Sequence, residues 1–178
     1  MKSIDIQYLK TDLGELLLGS FEGKLCLCDW RYRKMRQAVD ERIKTGLQAS
    51  FVLQSSDVIE DTKTQLLAYL RAECQTFTIP LLFVGTNFQK TVWHKLIEIL
   101  FGKTETYIGL STRLENPKAI RAVASANGAN ALSILVPCHR IIGSNGALIG
   151  YAGGLPAKQK LLELENSLPT KDQFKIFE

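Results

Sequence analysis

The chain has 178 residues, a formal net charge of +4, and a composition that is 46% hydrophobic and 22% charged, which is typical of a globular protein. No apolar run approaches the roughly 20 residues of a membrane-spanning helix, and the N-terminus lacks the apolar stretch of a secretory signal. The four cysteines show neither CxxC spacing nor a histidine at zinc-ligand spacing, so we expect free thiols in the cytoplasm and neither a disulfide framework nor a metal site.

The first part of the chain predicts a small antiparallel sheet. Strands are predicted at residues 4–9, 15–21 and 25–30, and short polar turns join them in sequence. In the third strand, Cys26 and Cys28 alternate with leucines, so both should point to one face as small buried residues.

Beyond these strands the pattern predicts a helix and then a boundary. The basic cluster at 31–36 is expected to be a solvated face, and apolar spacing predicts a helix over 57–73. The composition then shifts to Thr, Pro and Gly. We interpret this shift as the boundary between an N-terminal lobe, 1–84, that acts as a scaffold and a second domain, 85–170, with a polar tail at 171–178.

The second domain carries stronger helix signals. Residues 86–89, Thr-Asn-Phe-Gln, have the spacing of a capping box at the start of an apolar helical stripe. A shorter helix is predicted at 105–114. A third is predicted to begin with Asn116 as N-cap and Pro117 at the first helical position, and to stop at Gly128.

After the third helix the pattern changes to short apolar runs. A strand is predicted at 133–136, a β-hairpin at 141–149, and a last helix at 156–166. A helix-turn-helix followed by a hairpin is the winged-helix pattern. The predicted fold class is therefore α+β, with a small N-terminal antiparallel sheet and helix, and a C-terminal winged-helix domain that carries Cys138.

The third predicted helix has two different faces. Ile120 and Val123 should pack inward, whereas Arg121, Ala122 and Ser125 lie on the outer face, which is small and basic. Such a face can lie close to a nucleic-acid backbone, and an ordinary surface helix with alanines chosen for helix propensity is the alternative. The charge distribution favours a polyanionic partner, because residues 85–165 hold nine Lys or Arg against five Asp or Glu.

The run Pro137-Cys138-His139-Arg140 is the candidate reactive site. A thiol reacts as its thiolate, and an imidazole can take the thiol proton directly or through a water molecule. Neighbours on an extended strand point to opposite faces, so pairing of Cys138 with His139 requires a bend in the chain or a bridging water. On its own, the Cys-His dipeptide leaves coincidence open.

A series of motifs surrounds this run, in order and at regular spacing: Gly85-Thr86-Asn87-Phe88-Gln89, Val92-Trp93, Arg121-Ala122-Val123, Asn130, Pro137-Cys138-His139-Arg140, Gly150-Tyr151, Gly153-Gly154-Leu155, Leu161-Leu162 and Glu165. Together they resemble the O6-alkylguanine-DNA alkyltransferases, also called methylated-DNA–protein-cysteine methyltransferases. The resemblance covers residues 85–165. Residues 1–84 resemble the family only loosely, through the run at 14–17.

The resemblance implies a chemistry for five residues. Cys138 would attack the alkyl carbon on O6 of guanine in DNA, and on O4 of thymine, and keep the alkyl group as a thioether, so each molecule acts once without a cofactor. His139 would polarise the thiol through a water, and Glu165 would orient His139. Tyr107 would assist the leaving guanine, and Asn130 would brace the strand that carries Cys138.

The resemblance also implies how DNA is bound. Arg121 would enter the space left when the target nucleotide rotates out of the duplex. Ala122, Ser125 and Tyr107 would contact the same DNA. The protein is expected to bind double-stranded DNA as a monomer, from the minor groove and with little sequence preference.

The base pocket implied by the resemblance follows Cys138. Tyr151, Ala152, Gly153 and the backbone of Ile141 would line it. Some family members have Ser at the position of Ala152, and the missing hydroxyl removes one possible contact with guanine O6.

Three other functions fit parts of the sequence. A non-catalytic relative that only binds alkylguanine would lack Cys138. A winged-helix transcription factor would need base-reading polar side chains on the outer face of 117–127, where Arg121 stands among small residues. A thiol enzyme acting on small molecules would not explain the basic helix.

Overall fold

The first three strands form the antiparallel meander that the sequence predicts. In a computed structural model that describes residues 1–168, they span Lys2–Thr11 (β1), Gly14–Phe21 (β2) and Lys24–Trp30 (β3). Gly14 and Gly23 take positive φ in the two turns, as tight hairpins require. The tail predicted at 171–178 lies outside the described residues.

Two elements that the sequence did not reveal complete this lobe. The helix Arg36–Leu47 (α1) leads to the strand Ala49–Leu53 (β4), which pairs in parallel with β1 at the edge of the sheet. The strand order is β3-β2-β1-β4. The periodic signal of α1 is weak because only Val39 and Ile43 are buried among its twelve residues.

Cys26 and Cys28 do not share a face, so that prediction is wrong. The register between β2 and β3 shifts between Gly19 and Ser20, which leaves Cys26 as the extra residue of a β-bulge. A bulge breaks the alternation of the strand. Cys26 therefore joins an apolar cluster with α1, whereas Cys28 joins the larger cluster that includes the C-terminal half.

The capping box predicted at the start of the second domain is confirmed. The Gln89 N–H donates to Thr86 Oγ1 at 3.1 Å, and the Thr86 N–H donates to Gln89 Oε1 at 3.0 Å. The remaining helices are Asp57–Leu70 (α2), Asn87–Ile97 (α3), Tyr107–Arg113 (α4), Ile120–Gly128 (α5) and Leu155–Leu164 (α6). No helix within residues 1–168 is long and apolar enough to cross a membrane.

The third predicted helix begins later than its sequence suggested. Ala119, and not Asn116, is the residue that precedes α5, and the Ala119 N–H donates to the Asn116 carbonyl at 3.0 Å. Asn116 and Pro117 thus open a β-turn. Asn at the first position and Pro at the second favour a type I turn as much as a helix start, which explains the error.

The strand predicted at 133–136 is a buried turn. Ile134 has a φ of 74°, and the Val136 N–H donates to the carbonyl of Leu132 at 2.8 Å. The cause is the long-range contact of this segment with β3, to which it is tied by a bridge between Cys28 and Leu132.

The segment predicted as a β-hairpin, 141–149, also differs from its prediction. Ile141–Ile142 (β6) pairs in parallel with Glu105–Thr106 (β5), and residues 147–149, which the structure describes, form no strand. A bond of 2.9 Å from the Gly143 N–H to the Ala147 carbonyl closes the loop between them. The α+β class is confirmed, whereas the β-hairpin predicted at 141–149 is replaced by this loop.

A buried carboxylate joins the two halves of the chain. Asp29, fully buried at the end of β3, accepts 2.9 Å bonds from Arg33 and Arg36. Arg33 also donates to the carbonyls of Gly128 at 2.6 Å and Asn130 at 3.1 Å. The basic cluster at 31–36 is therefore not simply solvated, because Arg33 and Arg36 both bind the buried Asp29, and Arg33 also fixes the end of α5.

We expect Asp29→Ala to lower the free energy of unfolding by about 3–5 kcal/mol, because it leaves the buried Arg33 without its charge partner. Urea unfolding measures this loss. Glu15→Ala is the matched control: it removes the carboxylate that pairs with the more exposed Arg31, and we expect a loss of about 1 kcal/mol or less. Equal losses in the two variants would contradict the joining role of Asp29.

Candidate active site

Cys138 opens a single 3-10 turn, Cys138–Arg140, hereafter the active-site turn. Its N–H donates to the Val136 carbonyl at 2.8 Å, and the Arg140 N–H donates to the Pro137 carbonyl at 3.0 Å. The chain therefore bends at Pro137, as pairing of Cys138 with its neighbour requires. Cys138 is only 4% exposed.

Asn130 holds the active-site turn in place. Its Nδ2 donates to Cys138 Sγ at 3.2 Å and to the Val136 carbonyl at 2.9 Å, and its Oδ1 accepts from the Leu132 N–H at 2.9 Å. The family resemblance predicts that Asn130 braces a strand. The structure has it bracing a turn, with its amide directly on the sulfur.

The surroundings of Cys138 favour the protonated thiol. Burial raises its pKa, and the hydrogen bond from Asn130 opposes this effect. Of the more distant charges, Asp29 raises the pKa further, whereas Lys158 and Arg33 lower it. A thiol in this state needs a base before it can react.

The residue after Cys138 belongs to a buried histidine–carboxylate pair. His139 Nε2 lies 2.9 Å from Glu165 Oε1, and both side chains are buried. Burial lowers the pKa of His139, although the hydrogen bond to Glu165 opposes this, so the imidazole is neutral. With the carboxylate accepting at Nε2–H, we assign the acceptor lone pair to Nδ1, which is buried and has no partner among residues 1–168.

Glu165 stays ionised because several donors converge on it. Burial by itself raises its pKa, but hydrogen bonds from His139, Arg140 and Tyr69 outweigh burial and lower the pKa to about 2. Arg140 donates to Oε2 at 2.9 Å and to Oε1 at 2.8 Å. Glu165 directly follows the last residue of α6. This position brings its carboxylate into contact with His139 and Arg140 of the active-site turn.

Sequence reasoning missed Tyr69 and Arg140 as partners of Glu165. The Tyr69 hydroxyl donates to Glu165 Oε1 from α2, in the N-terminal lobe. Arg140 also donates to the Ile99 carbonyl at 2.6 Å. Local sequence patterns do not predict these contacts, since they indicate only that Tyr69 is a large residue on the buried face of a helix.

Lys158 was missed as well, although a signal existed. It is fully buried on α6, and its Nζ donates to the carbonyls of Ile141, Ile149 and Gly150. Burial lowers its pKa to about 8, while the nearby Cys138 opposes this shift. A lysine at helical spacing from Leu161 lies on an apolar face, which could have been recognised.

Tyr107, the first residue of α4, lies close enough to Cys138 for a charge on the sulfur to affect the pKa of the phenol. Its hydroxyl donates to the Ile149 carbonyl at 3.3 Å. Burial raises its pKa, a charge on Cys138 raises it further, and an Asn127 hydrogen bond lowers it. Tyr107 is therefore a protonated donor at neutral pH.

The segment predicted to line a base pocket packs against the N-terminal lobe. Trp30 of β3 meets Tyr151 edge-on, with ring centroids 6.0 Å apart. A side chain at Gly153 would place Cβ 2.5 Å from the Trp30 ring, so glycine is required there. Ala152 is half-buried in the same segment, while Ile141 is fully buried beside the active-site turn.

The outer face of α5 is exposed as predicted. Arg121, Ala122 and Ser125 are exposed, whereas Val123 and Ala126 are buried. Nothing on this face is larger than Arg121.

These features define a class of protein: one with a buried, hydrogen-bonded thiol, a histidine–carboxylate pair next to it in the chain, and an exposed helix face made of small residues and an arginine. Comparison with known proteins gives the family. Residues 87–167 match the family model described as 6-O-methylguanine DNA methyltransferase, DNA binding domain.

Individual relatives agree with this match. A methylated-DNA–protein-cysteine methyltransferase of Methanosarcina mazei is 47% identical over 115 residues, which are 65% of this chain and 73% of that protein. The inducible enzyme of that name from Bacillus subtilis is 42% identical over 116 residues, 65% of each chain.

Solved structures extend the likeness over nearly the whole chain. The structure of Mycobacterium tuberculosis OGT in complex with DNA has a TM-score of 0.78 and 31% identity, covering 95% of this chain and 97% of that one. The O6-methylguanine-DNA methyltransferase of Pyrococcus kodakaraensis has a TM-score of 0.69 and 25% identity, covering 91% and 98%. The chain belongs to the methylated-DNA–protein-cysteine methyltransferase family.

The low pKa of Glu165 makes stability depend on pH. Its pKa is about 2 in the folded protein and about 4.3 in an unfolded chain, so its stabilisation is present above that higher value and is lost as the pH falls toward the lower one. Glu165→Gln should be less stable than the wild type near neutral pH, and urea unfolding should show the gap narrowing between about pH 5 and pH 2.

The control for this experiment is Glu163→Gln, two residues earlier and exposed on α6. We expect no gap of this kind for the control. A Glu165→Gln gap that stays constant down to the lowest pH would contradict the ionised, hydrogen-bonded carboxylate.

Proposed function

We propose that Cys138 accepts the alkyl group in this chain and that the group comes from O6 of guanine, and from O4 of thymine, in duplex DNA. As a member of its family, the protein repairs DNA by transferring an alkyl group to one of its own cysteines. The observation that carries the proposal is the environment of one thiol: Asn130 donates a hydrogen bond to its sulfur, and the next residue in the chain, His139, is hydrogen-bonded to a buried carboxylate.

The other three cysteines lack these partners. Cys26 donates to the Gly19 carbonyl and Cys28 to the Ser133 carbonyl. Burial raises the pKa of Cys26 to about 12 and also raises that of Cys28. Cys74 donates to a backbone carbonyl of α2. Cys138 is thus the cysteine with an adjacent base.

The reaction is a single displacement. The Cys138 sulfur forms a bond with the alkyl carbon while the bond from that carbon to O6 breaks. The thiol proton passes to His139 through a water, and the imidazolium that forms is stabilised by Glu165. The leaving guanine takes up a proton with the help of the Tyr107 hydroxyl. The thioether product is stable, so each molecule acts once.

DNA binding is proposed to use the outer face of α5 from the minor groove, by a monomer and with little sequence preference. Small side chains at Ala122 and Ser125 let the helix approach the backbone closely. Arg121 would fill the gap left by the extruded nucleotide. The charge excess of residues 85–165 supports this orientation.

The extruded base is proposed to bind beside the active-site turn, between Tyr151, Ala152, Gly153 and the backbone of Ile141. Ala152 has no hydroxyl, so recognition of O6 depends on backbone groups and on Tyr107. We also propose that residues 1–84 support the domain at 85–170, and that the protein acts in the cytoplasm, at the nucleoid of a prokaryotic cell.

The direct test is intact mass after mixing the protein with duplex DNA that contains O6-methylguanine. We expect a gain of about 14 Da, one methylene, on the wild type, mapped by peptide mass to Cys138, and none on Cys138→Ala. Cys74→Ala keeps the proposed acceptor and should gain the same mass as the wild type. An unchanged wild-type mass, or a gain on another cysteine, would refute the assignment.

Arg121→Ala tests the gap-filling role. We expect it to slow repair of duplex DNA by about tenfold but to leave the reaction with free O6-benzylguanine nearly unchanged, because a free base needs no extrusion. Rates of alkylation on the two substrates measure this difference. Lys24→Ala, which removes one charge at the start of β3 in the N-terminal lobe, should affect neither rate. Equal losses of rate on both substrates would contradict the gap-filling role of Arg121.

A further inference from the structure

Tyr69 brings the N-terminal lobe into contact with the buried pair of His139 and Glu165. It lies on α2 and is fully buried. Its hydroxyl donates to Glu165 Oε1 and lies 3.5 Å from His139 Nε2. A residue 96 positions away in sequence therefore shares the oxygen to which the proposed base is bonded.

Glu165 Oε1 is a common acceptor for three donors. It receives the Tyr69 hydroxyl, His139 Nε2 at 2.9 Å and Arg140 Nη2 at 2.8 Å. Donors to one carboxylate oxygen share its negative charge, so each of them limits how strongly the others are held. The Tyr69 hydroxyl thus influences how strongly His139 holds a proton.

The Tyr69 ring cannot easily move its hydroxyl elsewhere. It packs against Phe77 with centroids 5.4 Å apart and meets Phe101 edge-on at 6.1 Å. Burial, and then the charge of Glu165, raise the pKa of the phenol, so it is protonated and a donor at neutral pH. The contact is fixed in place and fixed in direction.

A purely structural tyrosine would need only some acceptor for its hydroxyl. Tyr69 instead uses the carboxylate that orients the base, and it does so on the same oxygen. The second carboxylate oxygen, Oε2, accepts from Arg140 and from the Gly102 N–H. The choice of Oε1 is what links Tyr69 to His139.

We propose that Tyr69 is a positioning residue contributed by the N-terminal lobe, which fixes Glu165 and weakens its pull on His139 so that the imidazole is neutral before the reaction. This inference rests on the proposed roles of His139 and Glu165. It assigns the N-terminal lobe a part in the chemistry beyond that of a scaffold.

The sign of the effect follows from the groups that face His139. The carboxylate is that of Glu165 after α6, and the cations are Lys158 within α6 and Arg140 in the active-site turn. The other titratable groups are the thiol of Cys138 in the same turn and the phenols of Tyr151 and Tyr69. Without the Tyr69 hydroxyl, the charge on Oε1 is shared by two donors in place of three. His139 then binds its proton more tightly, and its pKa rises.

The test is the rate of Cys138 alkylation by free O6-benzylguanine as a function of pH, under single-turnover conditions. In the wild type the rate should fall on the acidic side as His139 becomes protonated. For Tyr69→Phe we expect the midpoint of this acidic limb to move upward by about half a pH unit or more. The free base is used because DNA binding then contributes nothing to the profile.

Phe77→Leu is the matched control, because it loosens the packing of the Tyr69 ring and keeps the hydroxyl. It should lower thermal stability and leave the midpoint unchanged. A Tyr69→Phe profile that superimposes on the wild type, with lower stability alone, would overturn the proposal and leave Tyr69 a structural residue. A wild type that is not alkylated at all would instead refute the proposed function of the site.

Discussion

The carboxylate of Glu165 is the group on which the site depends. A buried charge is costly unless hydrogen bonds and opposite charge compensate it. Here compensation comes from three places in the chain: Tyr69 on α2, His139 and Arg140 in the active-site turn, and the Gly102 N–H after α3. Satisfying one carboxylate therefore fixes the relative positions of these segments, and the histidine is oriented as part of the same arrangement.

A second buried carboxylate acts in the same way on the other side of the cysteine. Asp29 holds Arg33, and Arg33 reaches the carbonyls of Gly128 and Asn130 at the end of α5. Asn130 in turn holds the sulfur of Cys138. The helix proposed to contact DNA and the thiol proposed to react are thus joined through one backbone segment, which suits a reaction in which a base extruded at the helix must arrive within bonding distance of the sulfur.

The parts of this structure that could be predicted from the sequence are those determined by residues close together in the chain. The meander, the capping box at Thr86, and the exposed face around Arg121 all follow from spacing within a few residues. Family motifs added Cys138 and Asn130. Two of the errors share one origin, since the bulge at Cys26 and the turn at Ile134 arise where distant segments pack together. Contacts such as that of Tyr69 with Glu165 are formed by the tertiary fold, and no local pattern encodes them.

The burial of Cys138 also explains how a protein that uses its thiol once can keep it until it is needed. Oxidants attack exposed thiolates, whereas this thiol is 4% exposed and its pKa is raised by burial. A permanently lowered pKa would give a faster nucleophile but a more easily oxidised one. In the proposed mechanism the sulfur stays protonated until the reaction: a neutral His139 and an ionised Glu165 are arranged before any substrate arrives, so the thiolate needs to form only as the alkyl carbon is attacked.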